Sequence, residues 1–236
     1  MIQGSEEWFS ARLGKITASR LSDVMVKTKS GYGAARKNYM MELLCQRLSG
    51  QTEEGFTSAA MQRGIDMEPI ARGAYEADKG VFVEECGFIP SPTETDFGAS
   101  PDGLVGNDGL LEIKCPNTAT HLDFLKSGKP QHKYILQMHG QMLCTGRKWC
   151  DFVSYDDRLQ GLEYKCVRVE YDEQIGNEII SEVSKFLNEL DAEMKAIERL
   201  KNGEECREQA PEIPLFEGTR AQLEDITMFP TIEKGE

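Results

Sequence analysis

Two short stretches of the 236-residue chain carry side chains that could do chemistry together. Ser100-Pro101-Asp102-Gly103 reads as a turn, and Leu111-Glu112-Ile113-Lys114-Cys115-Pro116 reads as the end of a strand. Together they have the form P-D-x9-E-x-K. Residues two apart on a strand share a face, about 6.5–7 Å from one another. Glu112 and Lys114 therefore point the same way, and Ile113 points into the core. Asp102 joins them in only one register. If Val105 pairs with Gly109, across a three-residue loop closed by Gly109 as a bulge, Asp102 lies opposite Glu112 on that face. A four-residue loop would turn it away. Two carboxylates on adjacent strands suit a hard cation such as Mg²⁺. A lysine beside them can hold a water or offset charge on a phosphate, which together is the equipment for metal-assisted hydrolysis of a phosphodiester. The plainer alternative is an acid in a turn and an exposed Glu/Lys pair.

The elements that must position these groups are legible as changes of period. Leu21, Val24 and Met25 predict a helix over 17–27, with Thr17-Ala18-Ser19 at its cap; Tyr39, Leu43, Leu44 and Leu48 predict another over 34–48. Between them lies a basic, glycine-bearing loop, 27–33. A helix over 57–79 has Met61, Ile65, Ile70, Ala74 and Tyr75 as its apolar side, and Pro69 should kink it or start a second segment. Short strands follow at 81–83, 87–89, 97–99, 103–105 and 110–114, with Gly106-Asn107-Asp108-Gly109 as a hairpin turn. Residues 131–145 return to helix, 149–155 and 162–170 are strands, and 177–200 form a long amphipathic helix. This is a mixed α/β chain with one domain over 1–200 and an acidic, proline-bearing tail over 201–236, expected to be flexible and solubilising.

Composition narrows the class. The net charge is −13, but residues 1–50 carry eight basic against four acidic groups, and 171–200 carry three against eight. A basic front on an acidic protein can form a local anion-binding surface or a solvated face. Seven scattered cysteines and no apolar leader point to a reducing cytosol rather than a disulfide scaffold, and no run of about 18 apolar residues spans a membrane. Cys144, Cys150, Cys166 and Cys206 match no iron–sulfur spacing and read as buried thiols. His132 and His139 lack a third zinc ligand. No G-x4-GK[ST] phosphate loop is present.

Five blocks occur in order: Trp8-x3-Arg12-Leu13-Gly14-Lys15-Ile16-Thr17-Ala18-Ser19, Gly64-x3-Glu68, Ser100-Pro101-Asp102-Gly103-Leu104, Glu112-Ile113-Lys114-Cys115-Pro116 and Tyr134-x2-Gln137-x3-Gln141. Jointly they resemble the lambda-type (YqaJ-like) viral alkaline exonuclease family of PD-(D/E)xK nucleases, over about residues 5–200. The resemblance implies a central mixed β-sheet flanked by helices, with a restriction-endonuclease-like core. It implies that Asp102, Glu112, Glu68 and the Ile113 carbonyl hold metal, two Mg²⁺ ions with Mn²⁺ as a substitute, and that Lys114 orients the attacking water. Arg12, Ser19, Ser100 and Gln137 fall at positions that bind the 5′-phosphate. Such an arrangement suits a guanidinium fork and a helix N-terminus. The alternatives are a surface charge, a simple cap, a turn residue and a polar helix position.

Met61 falls at the position of an apolar wedge that splays the duplex, with core packing as the alternative. Lys29 falls where the family reaches the minor groove, with a solvated lysine as the alternative. The implied activity is 5′→3′ digestion of one strand of linear duplex DNA by a ring-shaped homotrimer in the bacterial host cytoplasm, leaving 3′ single strands for an annealing protein. Two rival readings stay open. One is another PD-(D/E)xK enzyme, such as a structure-specific endonuclease or a RecB-type repair nuclease. The other is a non-catalytic DNA-end-binding module, against which the intact Asp102, Glu112 and Lys114 argue.

Overall fold

The structure is a computed structural model that describes residues 2–29, 31–52 and 58–202. The chain opens with α1 (Glu6–Arg12), β1 (Ile16–Thr17), a 3-10 turn at Ala18–Arg20, and α2 (Leu21–Met25). The ribbon β2 (Lys27–Thr28) and β3 (Gly31–Tyr32) leads to α3 (Ala34–Ser49) and α4 (Ala59–Lys79). Five strands follow: β4 (Val83–Glu84), β5 (Ile89–Pro90), β6 (Phe97–Ala99), β7 (Gly103–Val105) and β8 (Gly109–Lys114). Then come α5 (Thr118–Ser127), α6 (His132–Thr145), β9 (Trp149–Tyr155), β10 (Tyr164–Glu170) and α7 (Glu173–Lys201). The unit up to Lys195 carries every element but the end of α7. Of the expected tail, everything from 203 on, Cys206 included, lies outside the described residues.

The main sheet has the order β10-β9-β8-β7-β4; β8 and β9 run parallel and the other pairs antiparallel. Strand β8 is buried from Gly109 to Ile113, so it has a helix on each face. Its odd positions Leu111 and Ile113 pack with Ala71 and Tyr75 of α4. Leu110, on the other face, packs with Phe124, Met138 and Met142 of α5 and α6. By the strand's period of two, Glu112 and Lys114 belong to the α6 face. A second sheet, β1-β6-β5, holds β1 parallel to β6. Gly140 of α6 seats that helix against the 3-10 turn and α2. A Cβ there would meet Leu21 Cδ1 at 2.5 Å and Ala18 Cβ at 3.1 Å.

Three expectations are corrected. The helix over 17–27 is a strand, a 3-10 turn and a five-residue helix, because Ile16–Thr17 pairs with Phe97–Gly98. Thr17 precedes that turn without a side-chain capping bond. Helix α4 runs through Pro69 as one element, and its buried residues are Ala71 and Tyr75, whereas Met61, Ile65 and Ile70 are exposed. Proline leaves the Ile65 carbonyl without its helical donor, and the exposure of this turn lets water supply one. In the hairpin, Val105 does pair with Gly109, but the left-handed residue is Gly106 (φ 52) rather than Gly109. Among the described residues no helix is long and apolar enough to cross a membrane.

Candidate active site

The β7–β8 register, Gly103↔Leu111 and Val105↔Gly109, carries Asp102 opposite Glu112 one step beyond the ladder. Asp102 extends the ladder with its side chain: Oδ2 accepts from the Ile113 N–H at 2.7 Å. Gln3 donates to the Pro101 carbonyl at 2.8 Å, fixing the peptide before the aspartate. Glu112 is fully buried and pairs with the Lys114 ammonium. Gln137 Nε2 donates to its Oε1 at 2.7 Å and Gln141 Nε2 to its Oε2 at 2.6 Å.

Charge crowding shows in the titration of this group. Burial, and then the charge of Glu112, push the Asp102 carboxyl well above the usual carboxylate range; Lys114 and the Ile113 N–H offset this in part. Burial lowers the Lys114 ammonium, but Glu112 and Asp102 outweigh it, and the net shift is upward. Lys114 therefore stays a cation at neutral pH while it is paired. Glu68, in the middle of α4, bonds Arg72 at 2.7 Å. Its carboxyl is raised, chiefly by burial, with Glu112 adding to the rise and Arg72 and Lys114 opposing it.

Glu68 lies at a junction between two hollows. A cleft of about 740 Å³ is lined by Met61, Ile65, Glu68, Ile113, Lys114 and Tyr134. A smaller pocket of about 180 Å³ brings Glu68 together with Asp102, Arg72 and Gln3. Met61 is thus a cleft residue, 58% exposed, and not part of the core. Among the described residues no three His, Cys, Asp or Glu side chains close into one metal-binding group. The donor chemistry still fits a cation that keeps most of its waters, since Mg²⁺ is commonly held by one or two carboxylates. Asp102 Oδ1 accepts no hydrogen bond from a described residue, and the Glu112 charge that adds to the burial-driven rise of its carboxyl is one such an ion would offset.

The expected phosphate residues divide. Arg12 stacks on Trp8, its guanidinium carbon 3.9 Å from the ring centroid, and donates to Ser100 Oγ at 3.2 Å. The Trp8 indole N–H donates to the same oxygen at 2.9 Å. Ser19 lies across a cleft of about 340 Å³ that Arg12, Lys15, Thr17 and Tyr39 also line. Ser19 Oγ stands 3.2 Å from Thr17 Oγ1. Arg12 and Ser19 therefore border one basic hollow, Ser100 is tied to it through its bond from Arg12, and Gln137 is turned to Glu112. Burial lowers the Arg12 guanidinium, with the Tyr39 hydroxyl opposing. Trp8 and Gln3 carried no assigned role in the sequence, and only their contacts reveal them. Gln141, present in the fifth block without a role, stands one helical turn from Gln137 and shares its partner Glu112.

Half of the basic front of the chain is consumed inside the molecule. Lys27 pairs with Glu182 at 3.3 Å, Arg36 with Glu189 at 2.9 Å and Arg47 with Asp191 at 3.4 Å, all on α7. Among the described residues Arg12, Lys15, Lys29 and Lys37 have no acidic partner. Lys29 is exposed between β2 and β3. His139 is closed off as a ligand: Nδ1 donates to the Ile135 carbonyl at 2.8 Å and Nε2 accepts from the Asp172 N–H at 3.1 Å. Cys144 and Cys150 are buried thiols; burial pushes Cys144 up to about 12 and Cys150 well above its ordinary value.

The chain is similar to known exonucleases. An alkaline exonuclease, LHK-Exo from Laribacter hongkongensis, is 56% identical with a TM-score of 0.80, over 84% of this chain and 99% of that one. The same enzyme in complex with dAMP matches equally. A phage-related exonuclease from Haemophilus somnus 129PT is 18% identical with a TM-score of 0.59, over 76% of this chain and 96% of that one, a likeness of fold. Comparison with curated protein sequences gives no match. Residues 7–148 match the YqaJ-like viral recombinase domain, and the chain belongs to that family.

Proposed function

We propose that the chain is an exonuclease that digests one strand of linear double-stranded DNA from its 5′ end, with Mg²⁺ held by Asp102, Glu112, Glu68 and the Ile113 carbonyl. The observation that carries the reading is the position of Ser100. Its hydroxyl belongs to the Arg12–Trp8 cluster, at 3.2 and 2.9 Å, yet it stands two residues before Asp102. An anion held at Arg12 is thereby tied to the loop that delivers a carboxylate to the reaction. The 56% identical alkaline exonuclease, which also takes dAMP, supports the reaction class.

Each residue has a task that follows from its surroundings. The bound metal would activate a water and polarise the scissile phosphate. Lys114 is positioned to hold that water or to steady charge on a phosphate oxygen, and its paired carboxylates keep it protonated until substrate arrives. Arg12 has no competing acid among the described residues, so its fork is open to a terminal phosphate. Such a charge-assisted pair is stronger than a neutral hydrogen bond. Lys15 and the Ser19 hydroxyl border the same hollow. Met61 and Ile65 form an apolar lip on the cleft beside Lys114, suited to bases leaving the stack. A homotrimeric ring, 3′ overhangs and transfer to an annealing protein in a bacterial cytoplasm complete the proposal and rest on the family resemblance.

Digestion of linear duplex with and without a 5′-phosphate, beside a covalently closed circle, tests the reading in Mg²⁺. Linear ends should be resected, the phosphorylated ones faster, and the circle should persist. Sustained nicking of the circle would favour the endonuclease rival. Retained hydrolysis in Asp102→Ala would remove the site.

A further inference from the structure

We propose that Gln141 is a positioning residue for the metal: its amide fixes the Glu112 carboxylate so that one lone pair of Oε2 stays aimed at the cation. The inference rests on the metal reading above and concerns a side chain which that reading does not use. Gln141 Nε2 donates to Glu112 Oε2 at 2.6 Å, and Gln141 is 1% exposed. It is therefore too deep to touch DNA. The two Glu112 oxygens are served unequally. Oε1 receives Gln137 Nε2 and the Lys114 ammonium, whereas among the described residues Oε2 receives Gln141 alone. A carboxylate oxygen accepts at about two lone-pair sites, so one amide on Oε2 leaves one site for a cation.

The choice of residue type is informative. A buried primary amide is costly unless it is hydrogen-bonded, and a leucine or methionine would fill this place between α6 and β8 as well. A lysine would bond Oε2 but cancel the charge that attracts the ion. A neutral donor holds Oε2 without adding a second cation to the one that Lys114 already brings to Oε1. The donor is rigidly mounted. Thr145 Oγ1 donates to the Gln141 carbonyl at 2.8 Å, and the neighbouring Gly140 presses α6 onto Ala18 and Leu21. The remaining amide oxygen faces the Cys150 thiol at 3.9 Å. Partners of this kind behind a metal ligand typically change affinity by about 10–100-fold.

The test uses the full chain with Gln141→Met, similar in volume and without a donor. Mn²⁺ affinity is read from the free-ion electron paramagnetic resonance signal, the fold from circular dichroism, and DNA-end binding in EDTA. The expected result is Mn²⁺ binding weakened by about 10–100-fold, with native dichroism, unchanged binding in EDTA, and a loss in kcat rather than in KM for DNA. Should that variant not fold, Gln141→Asn keeps an amide in place but withdraws it from Oε2 by one bond, and the same loss is expected. A folded variant with wild-type Mn²⁺ affinity overturns the positioning role while leaving the metal reading intact. A wild-type chain that binds no Mn²⁺ overturns both.

Discussion

Replacing Gly140 by alanine sets two opposed effects against each other, and the structure decides between them. In an exposed helix interior the change should stabilise by about 1 kcal/mol, because glycine is the poorer helix former. At this position the added Cβ meets Leu21 Cδ1 at 2.5 Å, Ala18 Cβ at 3.1 Å and Phe97 Cζ at 3.3 Å. All three are buried, so the neighbours have nowhere to withdraw. The Leu21 methyl is the end of a flexible side chain, but Ala18 Cβ is fixed to the backbone of the 3-10 turn. Overpacking of this kind costs about 1–3 kcal/mol. The net should lie between neutral and a loss of about 2 kcal/mol. Urea unfolding would show a lower midpoint at constant slope, and thermal unfolding a Tm lower by as much as ~4–8 °C. A gain near 1 kcal/mol would mean that α6 does not press on the turn and would refute the packing argument.

Arg12→Ala should erase most of the preference for 5′-phosphorylated ends and hardly slow 5′-hydroxyl ends; equal slowing of both would reduce Arg12 to a backbone contact that high salt could mimic. Met61→Ala should alter stability by less than about 0.5 kcal/mol, since the side chain is 58% exposed, but should slow digestion of fully paired ends more than frayed ones; a large drop in Tm would return Met61 to the core. Glu182 gives a pH signature. Burial raises its carboxyl, but bonds from Tyr32, Lys185 and Lys27 outweigh that and bring it from 4.5 to about 2. A lowered acid stabilises above its unfolded value and loses that contribution as pH falls from about 4.5 to 2, here of order 3 kcal/mol. Glu182→Gln should flatten acid unfolding in that window, and an unchanged profile would show that the cluster is not formed.

The strands around the candidate site were legible because their signals are local. The Gly106-Asn107-Asp108-Gly109 turn bounds 103–105 and 110–114, aromatic residues and Val153 mark 149–155, and the three-residue loop, one of two lengths the sequence left open, sets Asp102 opposite Glu112. What escaped is set by distant partners. Ile16–Thr17 is a strand only because Phe97–Gly98 lies beside it. Helix α5 has a capping Asn117 and a closing Gly128, but only His121 and Phe124 are buried, too few for an apolar period. His121 can be buried because Ser154 Oγ and the Leu162 carbonyl, at 2.7 and 2.8 Å, satisfy both ring nitrogens. The apolar spacing of Met61, Ile65 and Ile70 pointed to the wrong face: Met61 and Ile65 line the open cleft and Ile70 is exposed, and a cleft and a core ask for the same residue types.

The ties between the chain's first fifth and α7 also impose an order in time. Tyr32 bonds Glu182 across 150 residues, at 2.6 Å, and Arg36 reaches Glu189 across 153. On a ribosome adding about 5–20 residues per second, Tyr32 waits about 8–30 s for its acceptor to be made. During that interval the buried guanidinium of Arg36 has no counter-charge from α7, and the apolar side of α3 lacks Phe186, which lies 5.8 Å from Tyr39 between ring centroids. The basic hollow that holds Arg12 and Ser19 shares Tyr39 and Leu43 with this helix. A nascent chain therefore completes the hollow beside Arg12 and Ser19 late, when α7 is in place, and a ribosome stalled before Glu182 would display the residues of that hollow without the support that shapes it.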